Sequence, residues 1–137
     1  MKDMDRRLAM ALGLAAASAV AVKPAGAQTP ASSPTETSPF PGVLIRIYGE
    51  EQSLIPGFKT VLMRDVILQP GAKTNENTEM MNAMVCHMAE GELRIVQDGK
   101  SFVGKKNYVW TCNKGTKEHV INESNAVAVM RITDLKA

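Results

Sequence analysis

The sequence lacks a marked excess of charge of either sign. Its 16 basic residues face 14 acidic ones, and residues 1–27, interpreted below as a cleaved leader, hold four of the basic and two of the acidic residues. The remaining chain therefore carries 12 of each and is formally neutral. Because nucleic-acid binding depends on a basic stripe or patch, this composition excludes nucleic acid as an expected partner.

The sequence also lacks an apolar run long enough to span a membrane. The run at residues 8–22 is shorter than the roughly 20 residues that a membrane-spanning helix needs. It follows a short charged segment at residues 1–7 and precedes Ala25-Gly26-Ala27. This order of a charged segment, an apolar run and an A-x-A site is typical of a signal peptide. We therefore expect an exported protein, periplasmic or secreted, whose mature chain begins near Gln28 and has no membrane span.

The charged segment contains a pair of arginines, Arg6-Arg7, which partly matches a twin-arginine signal. That route exports proteins that are already folded. Asp5 stands where Ser or Thr is usual, so an ordinary secretory signal is the alternative. Lys23, close to the cleavage site, slightly favours the twin-arginine route, and both routes stay open.

The segment between residues 28 and 41 has few apolar residues and is rich in Pro, Ser and Thr. Such a composition does not bury enough apolar surface to offset the entropy lost on ordering. The sequence therefore predicts a flexible linker over 28–41 and one domain over 42–137, which is long enough for a single core. No internal repeat is evident.

Sustained helical periodicity is missing from the mature chain, which instead has short β-branched runs bounded by turn residues. Asp98-Gly99 between two of these runs is a strong signal for a tight hairpin. This pattern predicts an all-β domain, and a small jelly-roll barrel is the favoured architecture. Trp110 lies only two residues before Cys112, unlike the Cys…Trp…Cys spacing of immunoglobulin domains, so an immunoglobulin-like sandwich is less favoured. The predicted strands span residues 43–48, 59–68, 80–88, 92–96, 101–103, 107–111, 119–122 and 126–132.

The mature chain has two cysteines, Cys86 and Cys112. In an exported protein they can form a disulfide, which would tie the strand at 80–88 to the region after Trp110. Two separate buried thiols are the next alternative. A reactive nucleophile comes last, because no basic residue is evident beside either sulfur atom.

Several segments together resemble the cupins over about residues 58–132. They are Leu68-Gln69-Pro70-Gly71-Ala72, Glu90-Gly91-Glu92-Leu93, Asp98-Gly99 and His119-Val120-Ile121-Asn122. Cupins hold a metal with three histidines and one glutamate drawn from two motifs. Gly71 and Gly91 match the ends of the first motif, and His119 matches the histidine of the second. The resemblance implies a cupin-type double-stranded β-helix, or jelly-roll, barrel.

The usual ligands of the first cupin motif are replaced in this chain. Asn77 and Glu79 stand in place of its two histidines, and Met84 stands in place of its glutamate. The resemblance therefore implies a metal site of Asn77, Glu79, Met84 and His119, which is poor for divalent Fe or Mn because those ions prefer imidazole and carboxylate. The expected cofactor is either none or a weakly held divalent transition metal. His119 is the best single candidate, and Glu79, if buried, is a candidate general base.

Sulfur-containing side chains are concentrated in residues 80–88. Soft ligands from Met84, Cys86 and Met88, together with His119, would suit Cu(I). Strand alternation sends the first three to one face and His87 to the other, so full convergence needs a bulge. Methionines that fill a barrel interior explain the same pattern.

Three functions follow from these residues. The leading one is an exported cupin-like barrel that binds a small ligand or a weakly held metal without catalysis. The alternatives are a metal-dependent cupin enzyme of isomerase or oxygenase type and a periplasmic Cu(I)-handling module. The resemblance also implies a homodimer, in which residues 43–48 are the candidate exchanged strand.

Overall fold

The computed structural model describes residues 33–137, and the predicted signal peptide lies outside them. The described part of the chain contains strands and no helix, and therefore no helix that could cross a membrane. The strands are β1 (Thr35–Phe40), β2 (Val43–Gln52), β3 (Thr60–Leu68), β4 (Ala83–Glu90), β5 (Glu92–Gln97), β6 (Lys100–Lys105), β7 (Val109–Cys112), β8 (Glu118–Ile121) and β9 (Ala128–Lys136).

The strands form two antiparallel sheets. The larger sheet has the order β1-β2-β3-β9-β4-β7, and the smaller one has the order β6-β5-β8. Strands β3 and β9 pair over their whole length without a shift, from Thr60 opposite Lys136 to Leu68 opposite Ala128. From β4 onwards the chain passes back and forth between the sheets, because β4, β7 and β9 belong to the larger sheet and β5, β6 and β8 to the smaller one. The all-β prediction is confirmed.

The core lies between the two sheets and is built from alternating strand positions. Along β4, for example, Met84, Cys86 and Met88 are buried while Val85 is exposed, as the period of two along a strand requires. The buried side chains are mainly aliphatic or sulfur-containing, with Trp110 as the one buried aromatic residue of the described chain. The methionines of β4 therefore fill the interior, as the packing interpretation of the sequence expects.

The hairpin predicted at Asp98-Gly99 is confirmed. Strands β5 and β6 are joined by these two residues, whose φ angles are 47° and 80°. Positive φ at both central positions is the geometry of a type I′ turn, which suits the twist of the two strands that it connects. The turn between β4 and β5 depends on Gly91, where φ is 71° and a Cβ atom would lie 2.7 Å from the carbonyl oxygen of Val127.

The structure departs from the predicted linker at its C-terminal end. Thr35–Phe40 form β1, which pairs with β2 at the edge of the larger sheet, with Thr35 opposite Ile47 and Phe40 opposite Val43. The side chains of β1 are mostly exposed, so its composition resembles a linker. Its order comes from backbone pairing with β2, a contribution that does not depend on apolar side chains.

Candidate functional site

The barrel contains a cavity of about 480 Å³. Strands β2, β3 and β9 of the larger sheet supply one wall, while β8 of the smaller sheet and the loop at 74–82 supply the other side. A pocket of this size lies in the range that holds small organic molecules.

The wall from the larger sheet is almost entirely aliphatic. Alternation along β2 sends every second residue inward, and β3 and β9 continue the same surface. Because these side chains cannot form hydrogen bonds, they offer a ligand apolar contact only. The wall consists of Val43, Ile45, Ile47, Leu62, Val66, Met130 and Ile132.

Strand β1 also contributes to the cavity. Thr37, Pro39 and Phe40 line it, and Phe40 packs against the hydrophobic core. The segment that the sequence predicts to be a linker therefore forms part of the lining.

One ion pair interrupts the aliphatic wall. Arg64 on β3 donates from Nε to Oδ2 of Asp134 on β9 at 2.7 Å and from a terminal nitrogen to Oδ1 at 3.2 Å. Both residues line the cavity, and the Asp134 side chain is only 5% exposed. This bidentate geometry fixes both side chains and places one polar point in the wall, while Lys136 at the end of β9 also lines the cavity.

A buried carboxyl group, Glu118 on β8, forms another polar point of the cavity. Its Oε2 accepts hydrogen bonds from the Cys112 thiol at 2.8 Å, from Gln97 Nε2 at 3.2 Å and from Trp110 Nε1 at 3.3 Å. Burial raises the pKa of Glu118 above its ordinary value, and these three hydrogen bonds oppose the shift only in part. A buried carboxyl with a raised pKa in a cavity is a functional-site candidate.

Both cysteines are free buried thiols in this structure. Cys86 lies on β4 and Cys112 on β7, the two strands that pair at one edge of the larger sheet. The neighbouring Cys112 thiol and burial raise the pKa of the Cys86 thiol far above its ordinary value. Of the arrangements expected from the sequence, the structure therefore contains two buried thiols and not a disulfide, and the two sulfur atoms lie close together.

The metal site implied by the resemblance is only partly assembled. Glu79, Met84 and His119 line the cavity, whereas Asn77 is exposed and lies outside its lining. Glu79 is exposed as well, so burial does not prepare it as a general base. Met84 is buried but offers a soft thioether. This donor set does not fit a hard divalent metal, and we derive no chemistry through one.

The Cu(I) set is likewise divided. Strand β4 places Met84, Cys86 and Met88 on the inner face, but Met88 is fully buried in the core and outside the cavity lining. His119 is half-exposed, between the buried Glu118 and Val120 of the same strand. Within the described residues, one cluster of His, Cys, Asp or Glu side chains has at least three potential metal-ligating atoms within 4.8 Å of one another. It consists of Cys86, Cys112 and Glu118.

Sequence reasoning therefore missed Glu118 in favour of its neighbour His119. The sequence did contain a signal that Glu118 points inward. Val120, two positions further on, is apolar, and strand alternation puts residues 118 and 120 on the same face. Arg64 and Asp134 were also missed. They are 70 positions apart in the chain, and nothing local in the sequence connects them.

Comparison with known proteins supports the architecture. No protein-family model matches the sequence, and no curated protein matches it either. Among solved structures, an RmlC-like cupin from Shewanella frigidimarina is 12% identical with a TM-score of 0.62, covering 76% of this chain and 85% of that one.

Two further structures agree with it. KdgF from a Halomonas species is 10% identical with a TM-score of 0.60, covering 75% of this chain and 87% of that one. A predicted oxalate decarboxylase from Thermotoga maritima is 15% identical with a TM-score of 0.56, covering 77% and 93%. Identities this low establish the fold alone. The chain folds as a cupin-type jelly-roll barrel.

Proposed function

We propose that this protein is an exported binding protein that holds a small, mainly apolar ligand in its barrel cavity and does not catalyse a reaction. The cavity itself is the observation that carries the proposal. Its aliphatic wall suits an apolar body, and a few polar groups at fixed positions suit the orientation of one polar substituent. Export rests on the signal-peptide pattern of residues 1–27.

Two of the polar features of the cavity, the Arg64–Asp134 pair and Glu118, favour binding over catalysis. Arg64 is engaged with Asp134, and Oε2 of Glu118 accepts three hydrogen bonds from neighbouring side chains. A general acid or base must be free to exchange a proton with the substrate. Groups engaged in this way are suited to holding a ligand in one orientation.

The metal-dependent enzyme of isomerase or oxygenase type stays a prediction from the resemblance. It needs Glu79 and His119 to converge with a third ligand, and the exposed position of Glu79 gives it no support. The homodimer likewise stays a prediction.

A pair of variants on β2 tests the binding proposal. Ile45 faces the cavity, so Ile45→Trp should fill part of it; Leu44, the preceding residue, lies outside the cavity lining, so Leu44→Trp is the matched control. We expect calorimetry with cyclohexanol, 2-naphthol and 1-octanol to show binding of at least one alcohol to the wild type. That affinity should fall at least tenfold in Ile45→Trp and stay unchanged in Leu44→Trp.

Thermal unfolding of both variants shows whether each is folded. The absence of binding by all three alcohols to the wild-type protein would contradict the proposal. Equal binding by the wild type and a folded Ile45→Trp variant would place the binding site elsewhere and contradict it as well.

A further inference from the structure

Three side chains that no cupin motif supplies converge at one point of the barrel interior. Cys86 on β4 and Cys112 on β7 come from the larger sheet, and Glu118 on β8 comes from the smaller one. Their two sulfur atoms and a carboxylate oxygen all lie within 4.8 Å of one another, and all three residues are buried. A core that needed only to exclude water would fill such a point with apolar side chains, because burying polar groups is costly.

The carboxyl group of Glu118 is held in one orientation. All three of its side-chain hydrogen bonds, from Cys112, Gln97 and Trp110, end on Oε2. Oε1 takes part in none of these three hydrogen bonds. Glu118 lines the cavity whereas Cys86 and Cys112 do not, so the carboxyl group connects the buried thiols to that space.

These atoms lie near the spacing of ligands around one metal ion, and Cys112 Sγ and Glu118 Oε2, now 2.8 Å apart in a hydrogen bond, would separate by less than about 1 Å on binding it. Sulfur atoms bound to zinc at about 2.3 Å in a tetrahedron lie about 3.7 Å apart, and carboxylate oxygens bind at about 2.0–2.2 Å. Small side-chain rotations therefore bring the three atoms onto a common centre. We propose that Cys86, Cys112 and Glu118 bind one Zn²⁺ ion whose fourth coordination position opens towards the cavity.

The register of β4 and β7 argues against a disulfide as the main role of the two thiols. Cys112 lies directly opposite Met84, and Cys86 lies opposite Trp110, so the two cysteines occupy diagonal positions. Diagonal neighbours on paired strands are about 7–8 Å apart. Disulfides need Cα atoms about 4.4–6.8 Å apart. A bound ion spans the remaining gap without backbone movement.

The donor set favours zinc over the other metals considered. Two thiolates exclude hard ions such as Mg²⁺, and one carboxylate oxygen is a ligand that Zn²⁺ accepts readily, whereas Cu(I) prefers a sulfur-only set. Binding replaces the two thiol protons with the ion, so two protons are released for each Zn²⁺ bound. Three protein ligands with an open fourth position leave room for water or for a ligand in the cavity.

The first test uses the full exported chain, reduced and stripped of metal by a chelator. Zn²⁺ is titrated against a competing chromophoric chelator, and Co²⁺ is then substituted for it as a spectroscopic probe. We expect one Zn²⁺ per chain. We also expect an intense visible spectrum of tetrahedral Co²⁺ with thiolate-to-cobalt bands in the near ultraviolet. This readout needs no variant and is therefore insensitive to any folding defect.

Variants then assign the ligands. Cys86→Ser and Cys112→Ser should each weaken Zn²⁺ binding at least 100-fold, and Glu118→Gln at least tenfold. Met88→Leu, on the same strand two residues beyond Cys86 and equally buried, is the control and should bind as the wild type does. Thermal unfolding without metal identifies variants that do not fold.

Several outcomes would overturn the proposal. These are a wild-type chain that retains no Zn²⁺ against the chelator, a Co²⁺ spectrum without sulfur bands, and unchanged affinity in both folded cysteine variants. Stoichiometric Cu(I) with no Zn²⁺ would overturn the assignment of the metal. A Cys86–Cys112 disulfide in the protein recovered from its own compartment would assign the thiols to a covalent bond instead. The binding of apolar alcohols is measured separately, so the two proposals fail independently.

Discussion

Two arginine–aspartate pairs join the same two strands, β3 and β9, on opposite faces of the larger sheet. Arg64 and Asp134 meet on the inner face, in the cavity wall, while Asp65 and Arg131 meet on the outer face. The two carboxylates are equally buried, with the Asp134 side chain 5% exposed and that of Asp65 4%, but Arg64 of the inner pair is 21% exposed and Arg131 of the outer pair is 45% exposed. The same chemistry therefore operates in two different environments.

The two pairs therefore have different roles, the outer pair in holding the strands of the sheet together and the inner pair in the cavity. On the outer face, Tyr48 donates a hydrogen bond to Asp65 at 2.6 Å, and the Arg131 guanidinium lies 5.9 Å from the centre of the Tyr48 ring. These contacts link β2, β3 and β9 at the surface. The inner pair lies in an aliphatic wall. Two hydrophobic residues there would be expected to keep or increase the stability of the fold, since replacing a buried ion pair by apolar residues is often neutral or stabilising. Under the proposed function, the inner pair would orient the ligand.

The largest expected effect comes from breaking the inner pair. Asp134→Ala leaves the mostly buried Arg64 without its partner, and an uncompensated charge inside a protein is strongly destabilising. We expect the free energy of unfolding in urea to fall by about 2–4 kcal/mol. The double variant Arg64→Leu/Asp134→Leu is the control and should lie within about 1 kcal/mol of the wild type. A single variant as stable as the wild type would contradict this view of the inner pair.

A smaller effect is expected from the outer pair. Burial alone would raise the pKa of Asp65, but hydrogen bonds from Arg131 and Tyr48 outweigh burial and lower the pKa below its ordinary value. A carboxyl group with a lowered pKa stabilises the fold above its unfolded pKa, and this contribution is lost as the pH falls through the folded value. Asp65→Asn should therefore cost about 1–2 kcal/mol at neutral pH.

The pH dependence separates this effect from a general loss of packing. The difference in unfolding free energy between the wild type and Asp65→Asn should shrink as the pH falls below about 4, where this carboxyl takes up a proton in the unfolded chain, and should be lost once the pH has fallen through the lowered pKa of Asp65 in the folded state. Glu92→Gln, which neutralises an exposed carboxylate on β5, is the control and should show little difference at any pH. A pH-independent difference for Asp65→Asn would argue against the ion pair as its cause.

The smallest expected effect comes from Tyr48→Phe. This change removes the hydrogen bond to Asp65 and keeps the aromatic ring beside Arg131. We expect a loss of about 0.5–1 kcal/mol in chemical unfolding, the usual net contribution of one hydrogen bond. Alcohol binding in the cavity should be unchanged, because Tyr48 lies outside the lining. A change in that affinity would show that the outer face acts on the cavity.

The architecture was predictable because its signals are local. Short β-branched runs, the Asp98-Gly99 turn and Gly91 each reflect a backbone requirement that only certain residue types meet. Strand β1 was missed for the opposite reason. Its exposed side chains carry no apolar pattern, and its order depends on pairing with β2.

The site was less predictable because its residues meet only in the folded chain. Cys86 and Glu118 come from different sheets, and Arg64 meets Asp134 across 70 positions. Glu118 and His119 differ by one position, which on a strand means opposite faces. The resemblance to the cupin motif drew attention to His119 alone, although both residues line the cavity. Alternation with the apolar Val120 would have marked Glu118 as buried.

The most direct test of the cavity as a binding site uses the methionines as probes. With ¹³C-labelled methyl groups, titration with 2-naphthol followed by nuclear magnetic resonance should shift Met80, Met84 and Met130, which line the cavity. Met63, which is exposed on β3 outside the lining, should not shift. Saturable shifts confined to the lining residues are the result that this account predicts. No shifts, or shifts that include Met63 and spare the cavity, would contradict it.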